Sequence, residues 1–221
     1  MISFLLPTCH RPVLLDKMLT SLWETTRGYL IETVLVIDED SKSYDVAHDH
    51  HVNILDWSTK KRGALWAWNR ALELSTGDIL VPCGDDQVFH EGWLAYALTA
   101  HRGKLGGYGV VGMNDLAYNG NTQVATMWLF DRGYCKDIMG GIFAPPMYHY
   151  YCVDSEWNEK AKALGRFVWE EQAKVEHLHS AHGKRPVDAL DLEKQNWMEE
   201  DNQTFRLRKV LNFPITWEPL I

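Results

Sequence analysis

Three short apolar runs, each stopped by a proline or by acidic residues and separated by segments of helical period, constrain this chain more than anything else in it. Ile2–Leu6 ends at Pro7, Thr33–Ile37 ends in Asp38-Glu39-Asp40, and Asp78–Val81 runs into Pro82-Cys83-Gly84-Asp85-Asp86. Runs of this length, largely apolar, read as strands buried on both faces. Val52–Leu55 is a weaker strand of the same kind. Between them, Leu15, Met18, Leu19 and Leu22 give one apolar helical face over about Val13 to Glu24. Ala64, Ala67, Trp68, Ala71 and Leu72 do the same over Gly63 to Leu74, closed by Ser75-Thr76-Gly77. A further helix is expected over Glu91 to His101. Strands alternating with helices imply right-handed βαβ units, hence an α/β fold with a mostly parallel sheet flanked by helices. Ligands of such sheets bind at the carboxyl ends of the strands. Thr8, Arg11, Asp38, Asp85 and Asp86 all fall there.

The second half is less regular. Six glycines at 103, 106, 107, 109, 112 and 120 suggest loops around short strands. Val124–Phe130, Gly140–Phe143 and Arg166–Val175 have strand character, and Asp154–Leu164 is helical with Trp157, Ala161 and Leu164 on one side. From Val187 charge dominates, which predicts one or two surface helices before Pro214. At 221 residues, with 46% hydrophobic and 24% charged, the chain fits a single domain with its own core. A formal charge of −8 gives no general attraction to nucleic acid. No apolar run reaches the ~18 residues of a membrane span. Cys9, Cys83, Cys135 and Cys152 are scattered with no C-x-x-C pair, which favours reduced thiols and a cytoplasmic setting.

Asp85-Asp86, two adjacent carboxylates after a buried strand, offer hard oxygen ligands for Mg2+ or Mn2+. Taken alone, the pair reads equally as a solvated turn. Its flanks add to it. The stretch Gly63-Ala64-Leu65-Trp66-Ala67-Trp68-Asn69-Arg70-Ala71-Leu72, then Ser75-Thr76-Gly77-Asp78 through Gly84-Asp85-Asp86, and then Gly92-Trp93-Leu94, resembles family 2 glycosyltransferases of the GT-A (Rossmann-like) fold. Leu6-Pro7-Thr8-Cys9-His10-Arg11-Pro12 is similar to that family's first strand and nucleotide loop, and Val36-Ile37-Asp38-Glu39 to its second strand. The likeness covers about residues 2–95, with an echo over 150–180. The acidic motif departs from the family's Asp-x-Asp, being Gly-Asp-Asp.

The resemblance implies one GT-A domain over 1–221: a nucleotide-sugar half at 1–102, an acceptor and catalytic half at 103–186, and a C-terminal helical extension at 187–221. It implies an inverting transfer from a nucleotide-diphosphate sugar, UDP-linked, to an acceptor hydroxyl. Asp38 would take a uracil N–H, with Pro7, Thr8 and Arg11 holding base and ribose. One of Lys60, Lys61 and Arg62 would reach the diphosphate near Gly63, with Asn69 on the helix behind. Asp86 would ligate metal, with Gly84 and Asp85 beside it. Tyr151-Cys152-Val153-Asp154-Ser155-Glu156-Trp157 resembles the family's segment carrying the base, giving Asp154 with Glu156 in reserve; a helix cap is the plainer role for Asp154. His177 or His179 would be a further metal ligand, since alternation in an extended segment puts both on one face. Trp128, Tyr148, His149 and Tyr150 are candidates to line an acceptor pocket. The acceptor class stays open among a glycan, a lipid-linked sugar, a protein side chain and a modified nucleobase.

Two other classes fit parts of the sequence. His177-x-His179-x-x-His182 is similar to the zinc motif of metallo-β-lactamase-fold hydrolases, though Ala181 stands where that motif needs an acid. A non-catalytic nucleotide-sugar-binding module would keep the fold and dispense with Asp154.

Overall fold

The computed structural model describes residues 1–117 and 124–215. Along the chain it runs β1 (Ile2–Thr8), α1 (Pro12–Thr25), β2 (Ile31–Asp38), α2 (Ser41–Asp49), β3 (Ile54–Ser58), α3 (Ala64–Leu74), β4 (Ile79–Pro82), β5 (Gln87–Phe89), α4 (Trp93–Leu105), β6 (Val110–Asn114), β7 (Met127–Asp131), α5 (Arg132–Met139), α6 (Val153–Ala163), β8 (Phe167–His177), α7 (Ala189–Gln195) and α8 (Met198–Val210). One eight-stranded sheet has the order β3-β2-β1-β4-β7-β6-β8-β5. β1 pairs in parallel with β2 and β4, β2 with β3, and β6 with β8; β7 runs antiparallel to β4 and β6, and β5 antiparallel to β8.

Every residue of β1 is buried, as its unbroken apolar run requires. One core layer packs Phe4, Leu6, Leu35 and Ile37 against α1 and α4. The other packs Leu5, Val34, Val36 and Leu80 against α3, α5 and α6, with an aromatic cluster of Phe130, Phe143 and Trp157. At the end of the sheet remote from the strand carboxyl termini, Glu32 accepts from the Ser3 hydroxyl and from the Thr76 and Gly77 N–H groups. A Cβ on Gly77 would sit 2.4 Å from the Ser3 Oγ, so only glycine lets that turn lie against β1.

Several expectations are corrected. Gly140–Phe143 is not a strand: Gly140 and Gly141 take left-handed φ values of 69° and 78°, ending α5 and turning the chain away from the sheet. The helices α2 and α5 were not anticipated, although each opens on an aspartate cap, Asp40 and Asp131. The C-terminal helices are not merely a solvated face, since Asp191, Asp201 and Arg208 are buried. Gly120 and the end of the 187–221 extension lie outside the described residues. The four cysteines are free thiols, and among the described residues no helix is long and apolar enough to cross a membrane.

Candidate active site

In the sheet order, β1 is the switch point: the chain leaves it toward β2 on one side and returns to β4 on the other. A crevice opens at the carboxyl ends of such a pair, and here Thr8 of β1 donates to Asp85 beyond β4 at 2.9 Å. The cavity above it measures about 420 Å³ and is bordered by Pro7, Thr8, Arg11, Asp38, Gly63, Gly84, Asp85, Asp86, Asp154, His177 and His179. Eleven of the residues singled out in the sequence thus surround one space.

Asp85 and Asp86 are both buried. Burial, and then the adjacent Asp86, push the Asp85 carboxyl up to about 6. Burial also acts on Asp86, but His177 and Arg11 outweigh it and hold that carboxyl well below its ordinary range. His177 closes β8, where its N–H donates to the Asp115 carbonyl, and the next N–H, of Leu178, donates to the carbonyl of Asp86 itself. Those bonds bring the His177 Nε2 to 3.3 Å from the Asp86 Oδ1. Gly84 makes room for this arrangement: a Cβ there would lie 2.9 Å from the Asp86 Oδ1.

Arg11 caps α1 and is held by four carboxylates. Its Nε and Nη2 donate to Asp188 at 2.8 and 3.0 Å, Nη2 donates to Asp191 at 3.1 Å, and Nη1 donates to Asp85 at 3.3 Å and lies 3.6 Å from Asp86. Arg185 forks onto Asp191 at 2.6 and 2.8 Å and reaches 3.5 Å from Asp86. This partnership was missed in the sequence, where the charged stretch from Val187 read as surface. The signal was present: Asp188 and Asp191 form a capping box for α7, which places Arg185, Asp188 and Asp191 in register. Lys194, one turn on, borders the cavity with its ammonium 4.1 Å from the Tyr150 ring centroid. Burial and then Arg11 lower its pKa, against the pull of Asp86 and Asp85.

Other predicted residues do different work. Both oxygens of Asp38 accept backbone N–H groups, of Arg62 and Gly63, at 2.8 Å each, so Asp38 pins the loop that leads into α3 while it borders the cavity. The Arg62 side chain lies over Trp66 and does not line the cavity, whereas Lys61 does. Asn69 also faces elsewhere: its amide brackets Phe143 and Ala144 through three hydrogen bonds of 2.7 to 2.9 Å. Glu156 is fully buried, takes two 2.7 Å bonds from Arg208 and one of 2.9 Å from the Tyr148 hydroxyl, and does not reach the cavity. The reserve assignment of Glu156 as base is therefore corrected to a buried structural ion pair. Asp154 does border the cavity, at the start of α6, and burial raises its pKa. Across from it, Asp201 of α8 accepts the N–H groups of His149, Tyr150 and Tyr151 at 2.6 to 2.8 Å and so fixes that wall.

A carboxylate oxygen and an imidazole nitrogen at one cavity edge, with a second carboxylate beside them, suit Mn2+ or Mg2+ in kind. Among the described residues no group of three or more His, Cys, Asp or Glu is placed to hold a metal ion. Mg2+ is commonly held by one or two carboxylates and completes its shell with water and substrate phosphate. The three histidines of the zinc alternative meet edge-on and tilted, 5.0 and 5.7 Å between centroids, and the His179 Nδ1 is used to cap a short 3-10 turn at Ser180–His182.

This sheet order, with acids gathered at the switch point, defines the GT-A fold of glycosyltransferases. Residues 3–111 match the family model of glycosyl transferase family 2, and the chain carries a family 2-like glycosyltransferase domain. Solved structures agree on the fold. A mannosyltransferase from Pyrobaculum calidifontis, in complex with GDP-Man and Mn2+, superposes with a TM-score of 0.66 at 18% identity over 80% of this chain and 56% of that one. S. aureus TarS 1-349, in complex with UDP-GlcNAc, gives 0.60 at 16% over 76% and 55%. Glucosyl-3-phosphoglycerate synthase from Mycobacterium tuberculosis, in complex with Mg2+ and UDP, gives 0.62 at 14% over 86% and 74%. The chain spans little more than half the length of the first two. A search of curated proteins finds no significant match. The fold leaves the zinc-hydrolase alternative without its scaffold.

Proposed function

We infer that the chain transfers a sugar from a nucleoside diphosphate donor to an acceptor hydroxyl, with inversion and with a divalent metal. One observation carries this reading: the acid pair with its histidine and the isolated carboxylate of Asp154 border the same cavity, at the switch point of the sheet. Transfer needs those two stations, one for the departing diphosphate and one for the incoming hydroxyl.

Asp86 and His177 would hold Mn2+ or Mg2+, with His179 adjacent. The ion supplies Lewis-acid stabilisation of charge on the diphosphate. Thr8, Pro7 and Arg11 bound the nucleoside end, and Asp38 offers its remaining lone pairs to a base N–H, as a uracil would present. Lys61 and Lys194 border the cavity as cations for the phosphates. Asp154 accepts the proton of the acceptor hydroxyl while the hydroxyl oxygen bonds the anomeric carbon, and the bond from that carbon to the diphosphate oxygen breaks, the electron pair leaving with the diphosphate. The raised pKa of Asp154 brings it nearer the working range of a general base. A single displacement of this kind inverts the anomeric centre. Neighbours bound to GDP-Man, UDP-GlcNAc and UDP support the donor class, and those with Mn2+ and Mg2+ support the metal.

The test is a donor screen with UDP-, GDP-, dTDP- and CMP-sugars plus Mn2+ or Mg2+, read as released nucleotide. Metal-dependent release from one donor, abolished by Asp86→Ala, is expected. No release and no thermal shift with any donor would overturn the reading. A binding module would be indifferent to Asp154→Asn.

A further inference from the structure

Buried indole N–H groups in this protein mostly have acceptors. Trp68 donates to the Cys83 carbonyl at 2.9 Å, Trp157 to the Phe143 carbonyl at 2.8 Å and Trp93 to the Thr25 hydroxyl at 3.1 Å. Trp128 is different. It sits on β7, is only 4% exposed, borders the cavity, and its Nε1–H has no hydrogen-bond partner among the described residues. Trp23 shares that lack, but it lies on α1 and does not border this cavity. A buried donor without an acceptor is costly to keep. Phenylalanine would keep an aromatic ring there with no N–H to satisfy, so the apolar contacts alone do not account for a buried donor at 128.

The surroundings say where an acceptor would come from. Trp68, anchored on the carbonyl just before Gly84, lies 5.5 Å from Phe143, and Phe143 lies 5.7 Å from Trp128, ring centroid to ring centroid. This aromatic floor starts at the acid pair. At its other end the Asn158 amide exchanges hydrogen bonds with Ala125, at 3.0 and 2.8 Å, and donates to the Asp154 carbonyl at 2.8 Å. The start of β7 is thereby fixed against the helical turn that carries Asp154. In a displacement, the reacting carbon lies between the leaving diphosphate and the hydroxyl facing the base. The ring being transferred must therefore occupy the interval that this floor spans, and apolar sugar faces suit aromatic walls.

We propose that Trp128 is a specificity-determining residue, whose indole N–H donates to an oxygen substituent of the transferred sugar. The inference rests on the glycosyltransferase reading and names a contact within it. Indole is a donor only, so the partner must be an acceptor: a ring hydroxyl or an N-acyl carbonyl. A sugar lacking that oxygen leaves the N–H unpaired in the complex and is discriminated against.

Trp128→Phe tests it, because the change removes the N–H and keeps an aromatic ring. Isothermal titration with Mn2+ compares UDP-glucose, UDP-N-acetylglucosamine and GDP-mannose with free UDP and GDP. The wild-type chain should bind one sugar nucleotide more tightly than its own nucleoside diphosphate. Trp128→Phe should lose about tenfold of that increment, the size of one hydrogen bond, while keeping its affinity for the free diphosphate. Its Tm without ligand should fall by no more than a few degrees, since deleting a buried unpaired donor offsets part of the cavity left by the smaller ring. An undiminished sugar increment in the variant overturns the inference, as does a Tm lower by about ten degrees or more with diphosphate and sugar affinity falling together. A wild-type chain that binds none of these nucleotides would instead refute the transferase reading, and this inference with it.

Discussion

Glu156 and Arg208 form a fully buried ion pair joining α6 to α8, and it makes the sharpest test of the structural account. Arg208→Met removes two 2.7 Å bonds to the carboxylate and one of 3.1 Å to the Pro214 carbonyl. Glu156 then keeps the Tyr148 hydroxyl and, 3.6 Å away, the ammonium of Lys160. Breaking a buried pair from one side costs about 3–5 kcal/mol, most of it the penalty of leaving the other charge buried. With Lys160 still near, the cost should lie at the low end, about 3 kcal/mol, a large part of the ~5–15 kcal/mol that typical domains have. Glu156→Leu alone should cost a similar amount by stranding the guanidinium. The double variant should return to within about 1 kcal/mol of wild type, because replacing both charges by apolar groups is often neutral. Urea unfolding of the four proteins, followed by circular dichroism, measures the cycle. Single-variant losses below about 1 kcal/mol, or a double variant losing the full sum, would refute the reasoning. The double variant should also retain metal-dependent donor turnover; its complete loss would return Glu156 to the list of bases.

Further outcomes follow from the same geometry. Asp154→Asn should lower transfer by about a hundredfold or more, as loss of a general base does, with donor affinity by titration unchanged. Gly84→Ala should weaken Mn2+ binding about tenfold or more with little change in Tm, because its Cβ would crowd the Asp86 Oδ1; unchanged Mn2+ affinity would show that the oxygen is not a ligand. Asp201→Ala strips the acceptor from three N–H groups and should cost about 3 kcal/mol, while raising the donor KM through the loosened wall at 149–151. Burial pushes the Glu32 carboxyl up, but its bonds from Ser3, Thr76 and Gly77 outweigh that and leave it below its ordinary value. A depressed folded pKa gives stability that is present above the unfolded value of about 4.3 and lost as pH falls below it. Unfolding of Glu32→Gln should therefore show a shallower loss of stability below about pH 4.5 than wild type; parallel curves would contradict it.

The parts of the site legible in the sequence are those fixed by the strand ends. A run such as Ile2–Leu6 or Thr33–Ile37 can only be a central strand, and the parallel order then puts Thr8, Asp38 and Asp85 at one edge without any long-range information. Residues whose role depends on a distant partner were not legible. Glu156 is two positions from Asp154 in the chain, and nothing local distinguishes a base from a carboxylate that Arg208 will bury. Asn69 reads as a site residue beside Gly63, yet the loop at Phe143 claims its amide.

The α7 segment shows why charge pattern alone misleads. A stretch holding Arg185, Asp188, Asp191 and Lys194 looks solvated because each charge is costly to bury singly. Brought against Arg11, the charges pay for one another: two guanidinium groups lie among four carboxylates, and the ammonium of Lys194 rests on Tyr150. The consequence reaches the chemistry. Asp86 turns one oxygen toward the guanidinium groups, with Arg11 at 3.6 Å and Arg185 at 3.5 Å, and the other toward His177. The cations of α1 and of the segment before α7 thus stabilise the charged form of Asp86, while the imidazole side borders the cavity. A helix that reads as a tail in the sequence is part of the electrostatics that keeps Asp86 ionised at the centre of the site.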